Sequence, residues 1–179
     1  MLAKQFAINA HGEQMYGEHP YSYHLTRVAN TVANYTDQEE LINAAWLHDV
    51  LEDTGVAYFD LTCLFGVPTA NIVWGCTGTG NNRKARQASI KAKLGVFPGT
   101  ALVKLADRMA NMQENLDTEN RDMFYMYMRE HQDFGPAIAH LVPKEMYTDY
   151  LVIVENGLKL FEINEPDTWW SSIDRFYQK

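Results

Sequence analysis

The chain is poor in cysteine, in positive charge and in unbroken apolar sequence, and each shortage closes off a class of function. Its 179 residues include two cysteines, Cys63 and Cys76. Two are too few for a disulfide framework, and they lack the Cys-x-x-Cys spacing of a zinc site. A reducing compartment is therefore expected. Fifteen Lys and Arg against twenty-three Asp and Glu leave a net charge of −8. That balance argues against non-specific binding to nucleic acid or an anionic membrane, both of which depend on neutralising many phosphates. No segment approaches the roughly 18 uninterrupted apolar residues that would cross a bilayer. The N-terminus meets Gln5, Asn9 and His11 before any apolar run long enough for a signal peptide. The expectation is a cytoplasmic protein with no nucleic-acid and no membrane partner; the sequence assigns no oligomeric state.

What is present is a core and a helical rhythm. Hydrophobic residues make up 46% and aromatics 12% of a chain about one domain long, enough to bury a core without disulfides or structural zinc. From Tyr23 to Tyr35, the apolar positions Leu25, Val28, Ala29, Val32 and Ala33 follow the spacing of one buried helix face. Thr36 then reads as an N-cap with Glu39 and Glu40 in the first turn. The spacing predicts one helix through Leu41, Ala44, Ala45, Leu47 and His48, ending near Asp53-Thr54-Gly55. Short helices follow over 56–65, stopped by Gly66, and over 68–76, opened by Pro68. Residues 75–82 form a Gly- and Asn-rich loop, and a basic helix covers 83–94. Gly95 to Gly99 break the chain before a helix that Thr100 opens, and further helices are expected over 119–139, 144–161 and 167–177. There is no alternating strand pattern, internal repeat or low-complexity linker. A single all-α domain over residues 1–179 is expected.

Inside the apolar helical faces sit four residues of a different kind: His24, His48, Asp49 and Asp107. Burying an unpaired carboxylate costs several kcal/mol, on the order of the penalties for isolated charge, so such groups are ion-paired, hydrogen-bonded or metal-bound. Asp107 has Lys104 and Arg108 as possible partners. Two imidazoles and two carboxylates also make a divalent-cation set, with mixed nitrogen and oxygen donors that suit Mn²⁺, Fe²⁺ or Zn²⁺. Glu52 and Asp53 follow His48-Asp49 by about one helical turn; by themselves they read as a solvated helix end, and beside a bound cation as carboxylates that can take a proton from a metal-activated water. Arg83, Lys84, Arg86, Lys91 and Lys93 form the one strong basic cluster in the acidic chain, a possible phosphate-facing edge.

Three stretches carry a family resemblance: Pro20-Tyr21-Ser22-Tyr23-His24, Ala44 to Thr54 with its His-Asp and Glu-Asp-Thr, and Val103 to Met112 with Leu-Ala-Asp-Arg. Together they resemble the HD-domain metal-dependent phosphohydrolases. Within these the chain is most similar to the alarmone-hydrolase branch, the hydrolase domain of RelA/SpoT homologues and its small stand-alone relatives. The resemblance covers about residues 1–130 and leaves 131–179, including Trp169-Trp170, unassigned. It implies an all-α HD-domain bundle, with one Mn²⁺ held by His24, His48, Asp49 and Asp107. Glu52 and Asp53 would be the catalytic acidic pair. Asn111, Arg83, Lys84, Arg86, Tyr16 and Tyr125 would contact a nucleotide, although Tyr125 taken alone reads as a core tyrosine.

The implied reaction removes the 3′-pyrophosphate of guanosine 3′,5′-bis(diphosphate) or a related nucleotide, in a stand-alone hydrolase without synthetase or regulatory domains. Two positions depart from the pattern. After Ala10-His11-Gly12-x-Gln14 the branch carries an Arg-Lys run, where this chain has Met15-Tyr16-Gly17. Tyr16 could stack on a base instead. Leu25 stands where the branch commonly has Pro, which allows the helix to start earlier. The alternatives are an HD nucleotidase acting on another nucleotide and a module that senses a nucleotide without turnover.

Overall fold

Leu25, Val28, Ala29 and Val32 lie along one side of helix α2 (Ser22–Ala33), all at 3% exposure or less. Fully burying each of the larger side chains is worth about 1.5–3 kcal/mol, so this face decides where α2 packs. The structure, a computed structural model, describes residues 2–163. The helix expected over 167–177 and the Trp169-Trp170 pair lie outside the described residues. The chain divides into two compact units, with the boundary between Ala110 and Asn111.

In the first unit, α1 (Ala3–His11) leads through a hairpin, β1 (Met15–Tyr16) and β2 (His19–Pro20), into α2. The strands pair antiparallel, with Tyr16 opposite His19. Neither α1 nor the hairpin is among the expected elements, and two-residue strands are too short to show alternation. Helix α3 (Glu39–Leu47) packs against α1, α2 and α5 (Tyr58–Cys76) through Leu41, Ala44, Ala45 and Leu47. Thr36 is not its N-cap. The helix begins two residues later than a Thr36 cap requires, and the Thr36 hydroxyl accepts the Gln38 N–H instead.

The expected single helix from Leu41 to Asp53 is broken. It stops at Leu47 and resumes as α4 (Val50–Asp53), with Asp49 between them at φ −103°, ψ −5°. Successive residues of a regular helix project about 100° apart, so an unbroken helix would turn the side chains of His48 and Asp49 away from each other. Residues 58–76 read as two helices meeting at Gly66, whose φ of 83° and ψ of 161° are closed to other residues without strain. Pro68 then lies in the first turn of the second segment, where its missing N–H costs nothing. Helix α6 (Arg83–Lys93) is capped by the Asn82 side chain, which accepts the Ala85 N–H at 2.9 Å. Helix α7 (Thr100–Asp117) carries Ala101, Val103, Leu105 and Ala106 into the core.

The second unit begins within α7 and contains α8 (Arg121–Ile138) and α9 (Lys144–Leu160). Phe124, Met128 and Ile138 of α8 and Met146, Tyr150 and Val154 of α9 are buried. Gly157 lies directly against the Phe124 ring, so a Cβ there would overlap it. Phe124 is itself fully buried and has no space to yield. Gly157→Ala is therefore expected to destabilise the protein by about 1–3 kcal/mol through overpacking, read as a lower urea midpoint with an unchanged slope. Among the described residues no helix is long and apolar enough to cross a membrane.

Candidate active site

The break between α3 and α4 turns two consecutive side chains, His48 and Asp49, toward one point, and α2 and α7 bring His24 and Asp107 to it. His24 Nε2 lies 3.2 Å from His48 Nε2 and 3.3 Å from Asp107 Oδ1. His48 Nε2 lies 2.9 Å from Asp49 Oδ2 and 3.8 Å from Asp107 Oδ1, and Asp49 Oδ2 is 3.8 Å from His24 Nε2. Both histidines are buried, and neither carboxylate side chain is more than 17% exposed. All four residues expected as ligands thus converge. His24, His48 and Asp49 alone already satisfy the geometry of a cation site.

The hydrogen bonds around the cluster fix its polarity. His48 Nδ1 donates to the Ala45 carbonyl at 2.8 Å, which leaves Nε2 of the neutral ring as a lone pair directed into the cluster. Burial alone would lower the pKa of His48, but the negative charge of Asp49 and Asp107 outweighs it and raises the value to about 9. The cluster therefore calls for positive charge, which a proton or a divalent cation can supply. Burial likewise works to raise the pKa of Asp49, yet His48 holds that carboxyl well below the usual range. This donor set, with its buried and excess negative charge, fits a single divalent ion. His24 Nδ1 is buried without an acceptor, and its ring is stacked on Tyr16 at 4.8 Å.

Two further residues, Tyr21 and Lys104, set this geometry. Tyr21 donates its hydroxyl to Asp49 Oδ2 at 2.5 Å; burial and the charge of Asp49 push its pKa far above the ordinary value. Lys104 contacts Asp107 Oδ2 at 2.7 Å, so Asp107 turns one oxygen to a cation of the protein and the other to His24. Burial opposes the charge on Lys104, but Asp107 and Asp49 outweigh it and raise its pKa. The Lys104–Asp107 pair was legible as an i, i+3 neighbour on one helix, whereas the Tyr21 contact spans 28 positions. Tyr21→Phe removes the donor that orients the Asp49 carboxylate, and is expected to weaken divalent-cation affinity about 10-fold or more, measured by calorimetry on metal-stripped protein.

The acidic pair divides. Glu52 accepts the backbone N–H of Gly78, and burial raises its pKa from the ordinary value against that hydrogen bond. Asp53 Oδ2 accepts from Gln14 Nε2 at 2.8 Å. Arg83, Lys84 and Arg86 are exposed on α6. Lys93 departs from the expected phosphate-facing edge. Its ammonium donates to the carbonyls of Trp74 and Thr77 and lies 4.4 Å from the Trp74 ring centroid, closing the C-terminal end of α5. Tyr16 does not offer two open faces to a base, since one lies on His24. Met15 is 56% exposed. Asn111 and Tyr125 fall in the second unit. Asn111 is half-buried on α7, and Tyr125 is an exposed residue of α8 rather than a core tyrosine, with Arg129 over its ring.

Fold and cluster together define a helical domain that carries a candidate cation site. The chain belongs to the HD-domain family, whose sequence pattern matches residues 3–96. It is 39% identical over 118 residues to the guanosine-3′,5′-bis(diphosphate) 3′-pyrophosphohydrolase of Aquifex aeolicus, covering 62% of this chain and 17% of that protein. It is 32% identical over 143 residues to the bifunctional (p)ppGpp synthase/hydrolase SpoT of Escherichia coli, covering 75% and 20%. The chain thus spans about a fifth of the length of these curated relatives. Two solved structures share the fold. A metazoan SpoT orthologue described as hydrolysing ppGpp superposes with a TM-score of 0.69 at 23% identity, over 88% of this chain and 92% of that one. The Listeria monocytogenes protein lmo0812 gives 0.64 at 21%, over 83% and 99%.

Proposed function

We propose that this chain is a Mn²⁺-dependent hydrolase that removes the 3′-pyrophosphate of guanosine 3′,5′-bis(diphosphate) or a closely related nucleotide. The observation that carries the reading is the convergence of His24, His48, Asp49 and Asp107 on one buried point, next to a carboxylate whose pKa is raised. The named activities of the Aquifex and Escherichia relatives support the substrate class. A divalent ion bound by these four residues supplies Lewis-acid polarisation of the scissile phosphate and lowers the pKa of a water molecule.

The remaining work falls to the chain. Glu52 accepts the proton of the attacking water, for which a raised carboxylate pKa is the useful direction. The water oxygen bonds to the phosphorus carried by the 3′ oxygen, the P–O3′ bond breaks, and the 3′ oxygen takes up a proton. The products are a nucleotide with a free 3′-hydroxyl and pyrophosphate. Asp53 positions the water beside Glu52. Arg83, Lys84 and Arg86 present positive charge to the diphosphates of the substrate, which an acidic protein needs locally. Asn111 and Tyr125 are assigned to the nucleotide by the family resemblance.

Exposed Met15, in place of a basic residue, favours a second reading in which another nucleotide is the better substrate. Both readings are tested by incubating the protein and Mn²⁺ with a nucleotide panel that includes guanosine 3′,5′-bis(diphosphate), and separating the products by anion exchange. Pyrophosphate release from the alarmone is the expected result. Turnover of a different nucleotide alone contradicts the alarmone assignment, and turnover of none contradicts the hydrolase.

A further inference from the structure

The last residue of α1, His11, is buried and reaches no metal ligand directly, yet it begins a chain of contacts that ends on an acidic residue of the site. Its Nδ1 lies 2.8 Å from Gln14 Oε1, and Gln14 Nε2 lies 2.8 Å from Asp53 Oδ2. Gly12, at φ 56°, ends α1 so that the chain turns back, and backbone bonds from Gln14 N to His11 O and from Tyr21 N to Gln14 O hold the turn. The His11 ring is stacked on Tyr21 at 4.4 Å between centroids, and Tyr21 donates to Asp49.

The polarity of this chain is determined from its far end. An ionised carboxylate only accepts, so the Gln14 amide must turn its nitrogen to Asp53 and its oxygen to His11. His11 must then carry its proton on Nδ1. Nε2 is left as a bare lone pair, and it is the atom of the ring that is buried without a partner. An isolated neutral imidazole prefers the opposite tautomer, so the arrangement is imposed by its surroundings.

We propose that His11 and Gln14 are positioning residues that fix the Asp53 carboxylate for the reaction, through a relay of defined polarity running from the end of α1. The relay rests on the hydrolase reading for its effect on turnover, and on hydrogen-bond geometry alone for its tautomer. It engages Oδ2 of Asp53.

Gln14 is partly exposed, so Gln14→Ala leaves the core untouched. This variant and His11→Leu are expected to lower kcat about 10–100-fold, the usual effect of removing a partner that orients an active-site group. KM and Mn²⁺ stoichiometry stay unchanged. His11→Asn, whose amide nitrogen stands where Nδ1 stood, restores most of the rate. The double variant His11→Leu/Gln14→Ala is no slower than Gln14→Ala alone, because both act through one contact. Independently of activity, ¹⁵N NMR under mildly alkaline conditions is expected to show His11 as the Nδ1–H tautomer, shifting toward Nε2–H in Asp53→Ala. Unchanged kcat in Gln14→Ala, or an Nε2–H His11 in the wild type, overturns the relay. If the wild type turns over no nucleotide, the hydrolase reading fails while the tautomer still decides the relay.

Discussion

Asp107→Ala is expected to lose both its metal and a large part of its stability, whereas Asp49→Ala loses the metal with a much smaller thermal penalty. Each aspartate places an oxygen beside the histidines of the candidate cation site, so removing either takes away a donor. Their second contacts differ. Asp107 also neutralises Lys104, whose side chain is 14% exposed. Breaking such a buried pair from one side costs about 3–5 kcal/mol, because the remaining charge is uncompensated. For a chain of this size each kcal/mol lowers Tm by about 2–4 °C, giving a fall of about 6–20 °C. Removing Asp49 leaves the Tyr21 hydroxyl without its acceptor and His48 Nε2 without its nearest carboxylate; the unpaired hydroxyl costs about 1–3 kcal/mol, and the imidazole, unlike Lys104, becomes neutral by losing one proton. Melting both variants in EDTA and measuring bound metal separates the two effects. Asp107→Asn keeps a polar partner for Lys104 and guards against outright misfolding. Equal Tm values for the two alanine variants contradict the assigned role of Lys104.

The second large effect is expected at Glu52. Glu52→Gln should lower kcat about 10²–10⁴-fold, the range associated with loss of a general base, while metal content and fold are retained. The variant is informative because its amide oxygen can still accept the Gly78 N–H that Glu52 accepts now. The loop after α5 therefore keeps its anchor, and only the capacity to take a proton is lost. Burial raises the pKa of Glu52 above its ordinary value, the direction a base requires. Single-turnover kinetics with saturating Mn²⁺ makes the comparison. A rate near wild type assigns the proton transfer to another group.

The four residues expected as ligands are legible in the sequence because each interrupts an apolar helical face, where a His or Asp has no cheap alternative to a partner. His24 sits among Leu25, Val28 and Ala29, and Asp107 follows Leu105 and Ala106, all of them buried. The break that aims His48 and Asp49 together was not legible. Trp46-Leu47-His48-Asp49-Val50 contains no Gly or Pro, and the local pattern favours continuation; tertiary contacts at the cluster prevail over it. The hairpin escaped notice because four paired residues carry no period. Tyr125 is exposed although Phe124 beside it is buried, because adjacent helical residues point about 100° apart. Tyr21 lies within a motif that was recognised, but its role depends on a contact between distant segments that no spacing rule reaches.

Crystals soaked in Mn²⁺, with diffraction recorded at the manganese absorption edge, show whether the four side chains hold the ion. One anomalous peak is expected in the first unit, bonded to Nε2 of His24, Nε2 of His48 and oxygens of Asp49 and Asp107. A peak at any other set of side chains, or none at this cluster under saturating Mn²⁺, contradicts the metal assignment.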